Sequence, residues 1–399
     1  RSIMPTLRVP LVGVHNERGV DGTNAIIIGQ DQRFLNCVFD LVKNPITGKS
    51  TFYVEKRPGW QQNTIVSAGN PSTGLIKTDI LNSIVSAFGT PNSTIFDGQT
   101  NVGTITGEAL HLSESILSSI GYVMIRASDG TAWYYPSDAK TQLTYTGKVT
   151  SGAVQVDGIA STAGMYSGQS VSSANIAAGS RISTIVSTTQ ITLNAAASGS
   201  ATEAITKTPI AKILSANLVT TGTNLSAFTD MDGYQFYVAE DGYVYNSDLN
   251  TVHLYTASNK IAAAISADLP VAIVRYKQYI VCFGQGSIEF FHNAGNPTGS
   301  PLNNDENLFK RIGIQNQRSL AQLEDDIYFI SSSRDGDIHV KKLSYLQVAE
   351  ISTAAIDKIL GTANAQGNVI YVNAFTLGGY GLLLLQVCDT GVIPTTNFF

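Results

Sequence analysis

Carboxylates are the residues of this chain with the spacing to do chemistry. Asp305 and Glu306 are adjacent, Glu324, Asp325 and Asp326 form a triplet, and Asp335 and Asp337 flank Gly336. Two carboxylates held about 5–10 Å apart are what glycoside hydrolysis requires, one as acid and one as base or nucleophile. Each cluster also has a plainer reading. Asp beside a turn glycine is favoured for turn geometry alone, and the triplet precedes a strand, as a solvated loop edge does. Glu289 differs, because in SIEFF it stands among large apolar residues where a buried carboxylate needs a partner. Alternation allows it to face solvent, and otherwise Arg275 or Arg318 is the expected partner. The structural reading is preferred for every one of these groups, so no catalytic residue is assigned.

Other chemistry is sought and not found. The five histidines, His15, His111, His253, His292 and His339, match no metal-ligand spacing. Neither a dinucleotide fingerprint, a phosphate loop nor a GxSxG nucleophile elbow is present, so no metal and no cofactor is expected. Cys37, Cys282 and Cys388 are scattered, without CxxC spacing, and favour a reducing compartment. Basic residues pair as Lys56-Arg57, Lys310-Arg311 and Lys341-Lys342, without interleaved aromatics that would stack on bases. Lys310, Arg311, Lys56 and Arg57 stand as candidate partner contacts. The net charge of −5 argues against non-specific nucleic-acid binding, which works by displacing counterions with basic groups. It leaves open a channel wall along which a polyanion slides. No apolar run approaches the ~18 residues of a membrane span, and no signal-peptide h-region is read in the stretch that starts at Arg1.

Any such groups would have to be positioned by strands. Tyr122–Tyr135, Tyr234–Tyr245, Tyr279–Phe291, Ile327–Leu343 and, more weakly, Thr94–Thr100 each read as two alternating strands around a Gly-containing turn. A lone hairpin cannot bury its apolar face, so repeated hairpins must stack. Turn spacings of about 32, 44 and 50 residues approach the period of propeller blades. One gap is too long. It holds a Ser/Thr/Ala/Gly-rich island, Lys148–Thr206, with short strands expected at Val154–Val156, Gln169–Val171, Ile182–Val186 and Gln190–Leu193. Near the start, Thr51–Val54 is expected as a short strand, and Ser113–Ser119 as a brief helical turn. Thr353–Leu360 is the best helix, with Ile356, Ile359 and Leu360 on one side. The predicted fold is all-β, a propeller-like body of four-stranded blades carrying an inserted small β module. Its boundaries are an extended segment 1–60, blades over 61–147, the module at 148–206, and further blades over 207–399. Only 14% of residues are charged, which suits a surface largely covered by partners.

Tyr279–Phe291 (YIVCFGQGSIEFF), followed by the Gly/Pro loop His292–Leu302, resembles the packaged-DNA stabilisation, or tail nozzle, proteins of short-tailed bacteriophages. Ile312-Gly313 and Ile327–Ile330 correspond to the family's following segment and hairpin. Asn36–Leu41 and Tyr53–Trp60 (YVEKRPGW) are similar to its early segment, and Ala355–Leu360 before Val369–Asn373 continues the likeness. The island is not part of that family's core, and members run on beyond the matching strand. The island itself resembles small β modules of phage virion and bacterial surface proteins.

The resemblance implies a non-enzymatic virion protein, assembled in the bacterial cytoplasm as a homohexameric ring below the portal-adaptor protein. Its implied partners are further copies, the adaptor, and tail needle, plug or fibre proteins. Double-stranded DNA would be retained, then pass through the channel without sequence-specific contacts or membrane insertion. Two alternatives remain, a propeller enzyme acting on glycans and a carbohydrate-binding surface protein. Converging carboxylates would favour the first, and aromatics on the island the second, where Tyr166 stands alone.

Overall fold

The computed structural model describes residues 9–10, 37–43, 50–56, 72–139, 143–221, 225–332 except 264 and 267, 338–377, 380–388 and 396–398. The chain divides into two compact units, Arg1–Ile65 and Val66–Phe398. In the first, Ser50–Lys56 pairs antiparallel with Cys37–Lys43 and with Val9–Pro10. The expected strand at Thr51–Val54 lies inside Ser50–Lys56.

The second unit is a succession of antiparallel sheets, six among its described residues. The first sheet runs Ser72–Thr78, Ser83–Phe88, Thr94–Asp97, Thr100–Thr104. In the second, Ala109–Leu117, Ile120–Ala127 and Ala132–Pro136 are completed by Ala201–Lys212. The third is Thr229–Met231, Tyr234–Val238, Tyr243–Asn246, Lys260–Ala262, and the fourth Pro270–Tyr276, Tyr279–Gly284, Ile288–Asn293, Leu302–Asn304. The fifth centres on Asp326–Ser332, paired with Leu320–Leu323 and Gly313–Ile314, and continues through Val340–Ser344 to Gln347–Glu350. Val369–Leu377, Tyr380–Cys388 and Thr396–Phe398 form the sixth.

Apolar clusters lie between successive sheets, which is why the hairpins had to repeat. Ile95 and Val102 meet Val123 and Trp133 across the first pair, and Tyr134 meets Tyr237 across the second. Phe236 and Val244 pack on Ile280 and Phe291, then Phe283 and Phe290 on Ile327 and Phe329. Ile330 and Val340 close on Leu360, Ile370 and Val372. The faces between successive sheets thereby leave water, and aromatic edges lock the contacts, as between Phe283 and Phe329 at 5.2 Å.

The strand pairings of all five expected hairpins are present, although the Asp335-Gly336 turn lies outside the described residues. At Asp129-Gly130 the turn needs glycine twice over. Gly130 has φ +79°, and a Cβ there would lie 1.7 Å from the Thr220 carbonyl oxygen. Ser113–Ser119 is not helical. Its first five residues belong to Ala109–Leu117, registered against Ile120–Ala127, with Ser118 and Ser119 forming the turn at positive φ. Pairing with a buried neighbouring strand overrides the local serine signal. The helix spans Ala354–Ala365 with Thr353 as its N-cap residue, a turn longer than expected. Leu360 is buried and Ile356 packs on the core, but Ile359, expected beside them, is 40% exposed at the edge of that face.

The island's four strands appear at Gln155–Asp157, Gln169–Ser172, Ile182–Ser187 and Gln190–Leu193. They surround a cluster of their own, including Val156, Val171, Ile182, Ile191 and Leu193. Leu143–Val149 pairs with Ala201–Lys212 at its root, Val149 opposite Ala201. The same long strand then pairs with Ala132–Pro136, Trp133 opposite Lys212, so the island's sheet is continuous with the second sheet.

Candidate functional site

Glu289 sits in the middle strand of the fourth sheet and is 2% exposed. Its Oε1 accepts from the backbone N–H of Ile265 at 3.0 Å and of Ser266 at 3.3 Å, and its Oε2 accepts from Asn304 Nδ2 at 2.5 Å. Burial raises its pKa above the usual carboxylate range, against those three hydrogen bonds, and Asp268 raises it further. Neither arginine expected as its partner reaches it. Arg275 lies 3.9 Å from Asp230, and Arg318 is engaged elsewhere. Backbone donors satisfy this carboxylate, a pairing that side-chain reasoning could not foresee. It fastens the connection between the third and fourth sheets.

Other acidic groups have local structural work. Asp305 caps a short turn by accepting from Asn307 N–H at 3.2 Å. It lines a polar cavity of about 460 Å³ with Asp232, Gln278, Tyr279, His292 and Asn293, in which Asp232 Oδ2 accepts from Asn293 at 2.8 Å. Glu324 occupies a turn at positive φ, and Asp326 pairs with Lys342 at 2.5 Å. Asp335 and Asp337 lie outside the described residues.

Of the candidate contacts, Lys310 is half-buried, and its backbone exchanges two hydrogen bonds with Ile288. Arg311 beside it is exposed. Lys56 ends the strand Ser50–Lys56, and Arg57 lies outside the described residues.

Basic groups missed by sequence reasoning gather where the sheets' first strands meet. The first strands of the first, second, third and fourth sheets lie side by side in turn. Arg318, at the entrance to the fifth sheet, donates to Tyr371 Oη of the sixth at 3.1 Å and to the Leu110 carbonyl of the second at 3.3 Å. Its guanidinium also covers the Tyr371 ring at 5.2 Å. From the entrance to the fifth sheet this side chain therefore links the second sheet to the sixth. Next to Leu110, His111 is pushed down to about 3, chiefly by burial and then by Arg318 and Arg126. Arg126, opposite His111 in the register, is fully buried against the Phe228 and Tyr237 rings and donates to the Val219 carbonyl at 2.5 Å. Burial lowers its pKa to about 10. These contacts join segments far apart in sequence, and no local pattern announces them.

The island is anchored rather than tethered. Arg181 lies 4.6 Å over the Trp133 ring, and Tyr166 meets Tyr122 and Tyr134 edge-on at 6.4 and 6.3 Å. Tyr166, its lone expected aromatic contact, therefore faces the second sheet.

Among solved structures, the chain is similar to the phage phi92 endosialidase at 13% identity, covering 80% of this chain and 62% of that one, with a TM-score of 0.36. BamB from Moraxella catarrhalis aligns at 10% identity over 82% of this chain and 91% of its own, with a TM-score of 0.32. Both likenesses are loose and speak to neither activity nor partner. No curated protein matches in sequence. Residues 145–393 match the family model described as Bacteriophage P22 Gp10, beta-propeller. That span covers more than half of the chain, including the island and the third to fifth sheets. The chain belongs to this bacteriophage P22 Gp10 beta-propeller family of structural phage proteins.

Proposed function

We propose that this structural phage protein is a tail nozzle subunit. Six copies would form a ring below the portal-adaptor, retain packaged DNA, and provide the conduit for its ejection. Family membership over residues 145–393 is the observation that carries the reading. Arg318 links the second and sixth sheets within one copy, and the proposed conduit runs between copies rather than through one propeller. Cyclic packing of identical subunits leaves such an axial channel. A chain with 14% charged residues and net charge −5 suits both broad subunit contacts and a wall that does not grip phosphates. Lys310 and Arg311 are proposed contacts with a neighbouring protein, as are Lys56 and Arg57. The adaptor, and needle, plug or fibre proteins, are the proposed partners, with assembly in the host cytoplasm.

Among the described residues Asp305 caps a turn, Glu289 fastens a connection through backbone N–H groups and Asp326 pairs with Lys342, and the proposal includes no hydrolytic step. Native mass measurement tests it. A six-copy species is the expected result. A stable monomer that cleaves glycans would replace this reading with the enzymatic one.

A further inference from the structure

His339 immediately precedes the strand Val340–Ser344, Glu350 ends Gln347–Glu350, and Asp357 lies in the first turn of the helix Ala354–Ala365. Sheet pairing sets Lys341 opposite Glu350, which brings that carboxylate back beside His339. His339 Nδ1 is then 3.2 Å from Asp357 Oδ2 and 3.5 Å from Glu350 Oε1. One ligand atom from each residue lies within 4.8 Å of the others.

Distance alone would describe an ion pair. The orientation does not complete one, because His339 Nδ1 is enclosed by protein yet has no hydrogen-bond partner, despite two carboxylate oxygens at pairing distance. Asp357 Oδ1 is likewise enclosed and unpartnered. Buried polar atoms are normally satisfied, so these two are free to take a ligand. A cation held by nitrogen and oxygen at about 2.0–2.1 Å in tetrahedral geometry separates its ligand atoms by roughly 3.3–3.4 Å. The two measured separations bracket that value. Imidazole with carboxylates suits zinc and its transition-metal neighbours, whereas magnesium prefers an octahedral oxygen shell. The side chains keep a route to solvent, with His339 27% and Glu350 45% exposed.

We propose that His339, Glu350 and Asp357 form a zinc-type divalent cation site that ties the helix to the fifth sheet. The three ligands come from the residue before one strand, the end of the next, and the helix that leads to the sixth sheet, so a bound ion would clamp that junction. Lys341 Nζ, 3.3 Å from Glu350 Oε2, is a competing cation on the outer carboxylate oxygen. It tunes the site by holding part of the glutamate's charge. This inference is independent of the nozzle reading.

The test is titration of the chelator-treated full chain with Zn2+ by calorimetry, alongside thermal melting. One equivalent should bind. The melting temperature should rise by several degrees at about a hundredfold excess over Kd, because a ligand selective for the folded state stabilises it by mass action. His339→Ala and Asp357→Asn should each weaken binding at least tenfold, while Lys341→Met should bind as tightly or more so. Mg2+ should leave the melting temperature unchanged. The site is overturned if wild type takes up no Zn2+, if both ligand variants bind as wild type does, or if Mg2+ stabilises equally. Should His339→Ala fail to fold, Asp357→Asn and Lys341→Met probe the site from opposite directions, one weakening it and one sparing it.

Discussion

The sheets of the body and the island at Lys148–Thr206 solve the same burial problem with different residues. Between sheets the core is aromatic, with Trp133, Tyr237, Phe236, Phe283, Phe290 and Phe329 all essentially inaccessible. Inside the island it is aliphatic, built from Val, Ile, Leu and Met with Tyr145 at the root. Large flat side chains span the roughly 10 Å separating two packed sheets, whereas short branched ones fill a small module. Charge follows the same division. The island's three charged residues within Ser151–Thr206 are all engaged: Asp157 by Gln155 and Gln190, Glu203 by Ser173 and Asn175, and Arg181 by Trp133 and Gly168. The difference teaches that the body's stability lies at sheet-to-sheet contacts, while the island's is largely internal.

The sharpest way to break that comparison is Phe329→Ala. Emptying this inter-sheet position should cost about 3–5 kcal/mol in chemical denaturation. A loss under about 1 kcal/mol would contradict the role given to the aromatic contacts. Ile191→Ala, in the island's core, should cost about 2–4 kcal/mol, with the loss read as hydrogen-exchange protection falling within 150–200. Equal loss of protection in the third to fifth sheets would show that the two regions unfold as one.

Gly130→Ala tests the hairpin turn of the second sheet. Positive φ and the Thr220 carbonyl at 1.7 Å leave no room for a methyl group, and a penalty of about 1–3 kcal/mol should appear as a lowered melting temperature. Glu289 gives the pH prediction. Its folded pKa is raised above the unfolded value, so the native state holds the proton to higher pH. That contribution is fully present below the unfolded pKa, near ~4.3, and is lost as pH rises through the folded one. Glu289→Gln should flatten this part of the stability–pH curve, and an unchanged slope would contradict the assignment. The smallest expected effect is Arg181→Ala, about 0.5–1 kcal/mol for the contact with Trp133, accompanied by altered Trp fluorescence.

Period-two alternation and Asp-Gly turns made the hairpins legible in sequence, because both signals are local. The island was legible by composition. What alternation cannot report is which side of a sheet meets which neighbour. For Glu289 the sequence left solvent or an arginine as the alternatives, and it instead receives backbone N–H groups from residues 23 and 24 positions earlier. Arg318 bridges to a carbonyl 208 positions away, and His339 meets Asp357 only because a helix folds back on the fifth sheet. Ser113–Ser119 shows the opposite failure, a local signal overridden by strand pairing.

Electron cryomicroscopy of the purified full chain tests the central claim most directly. The account predicts six copies around a common axis, with the open channel between them. A solitary particle, or a channel running through a single propeller, would contradict it.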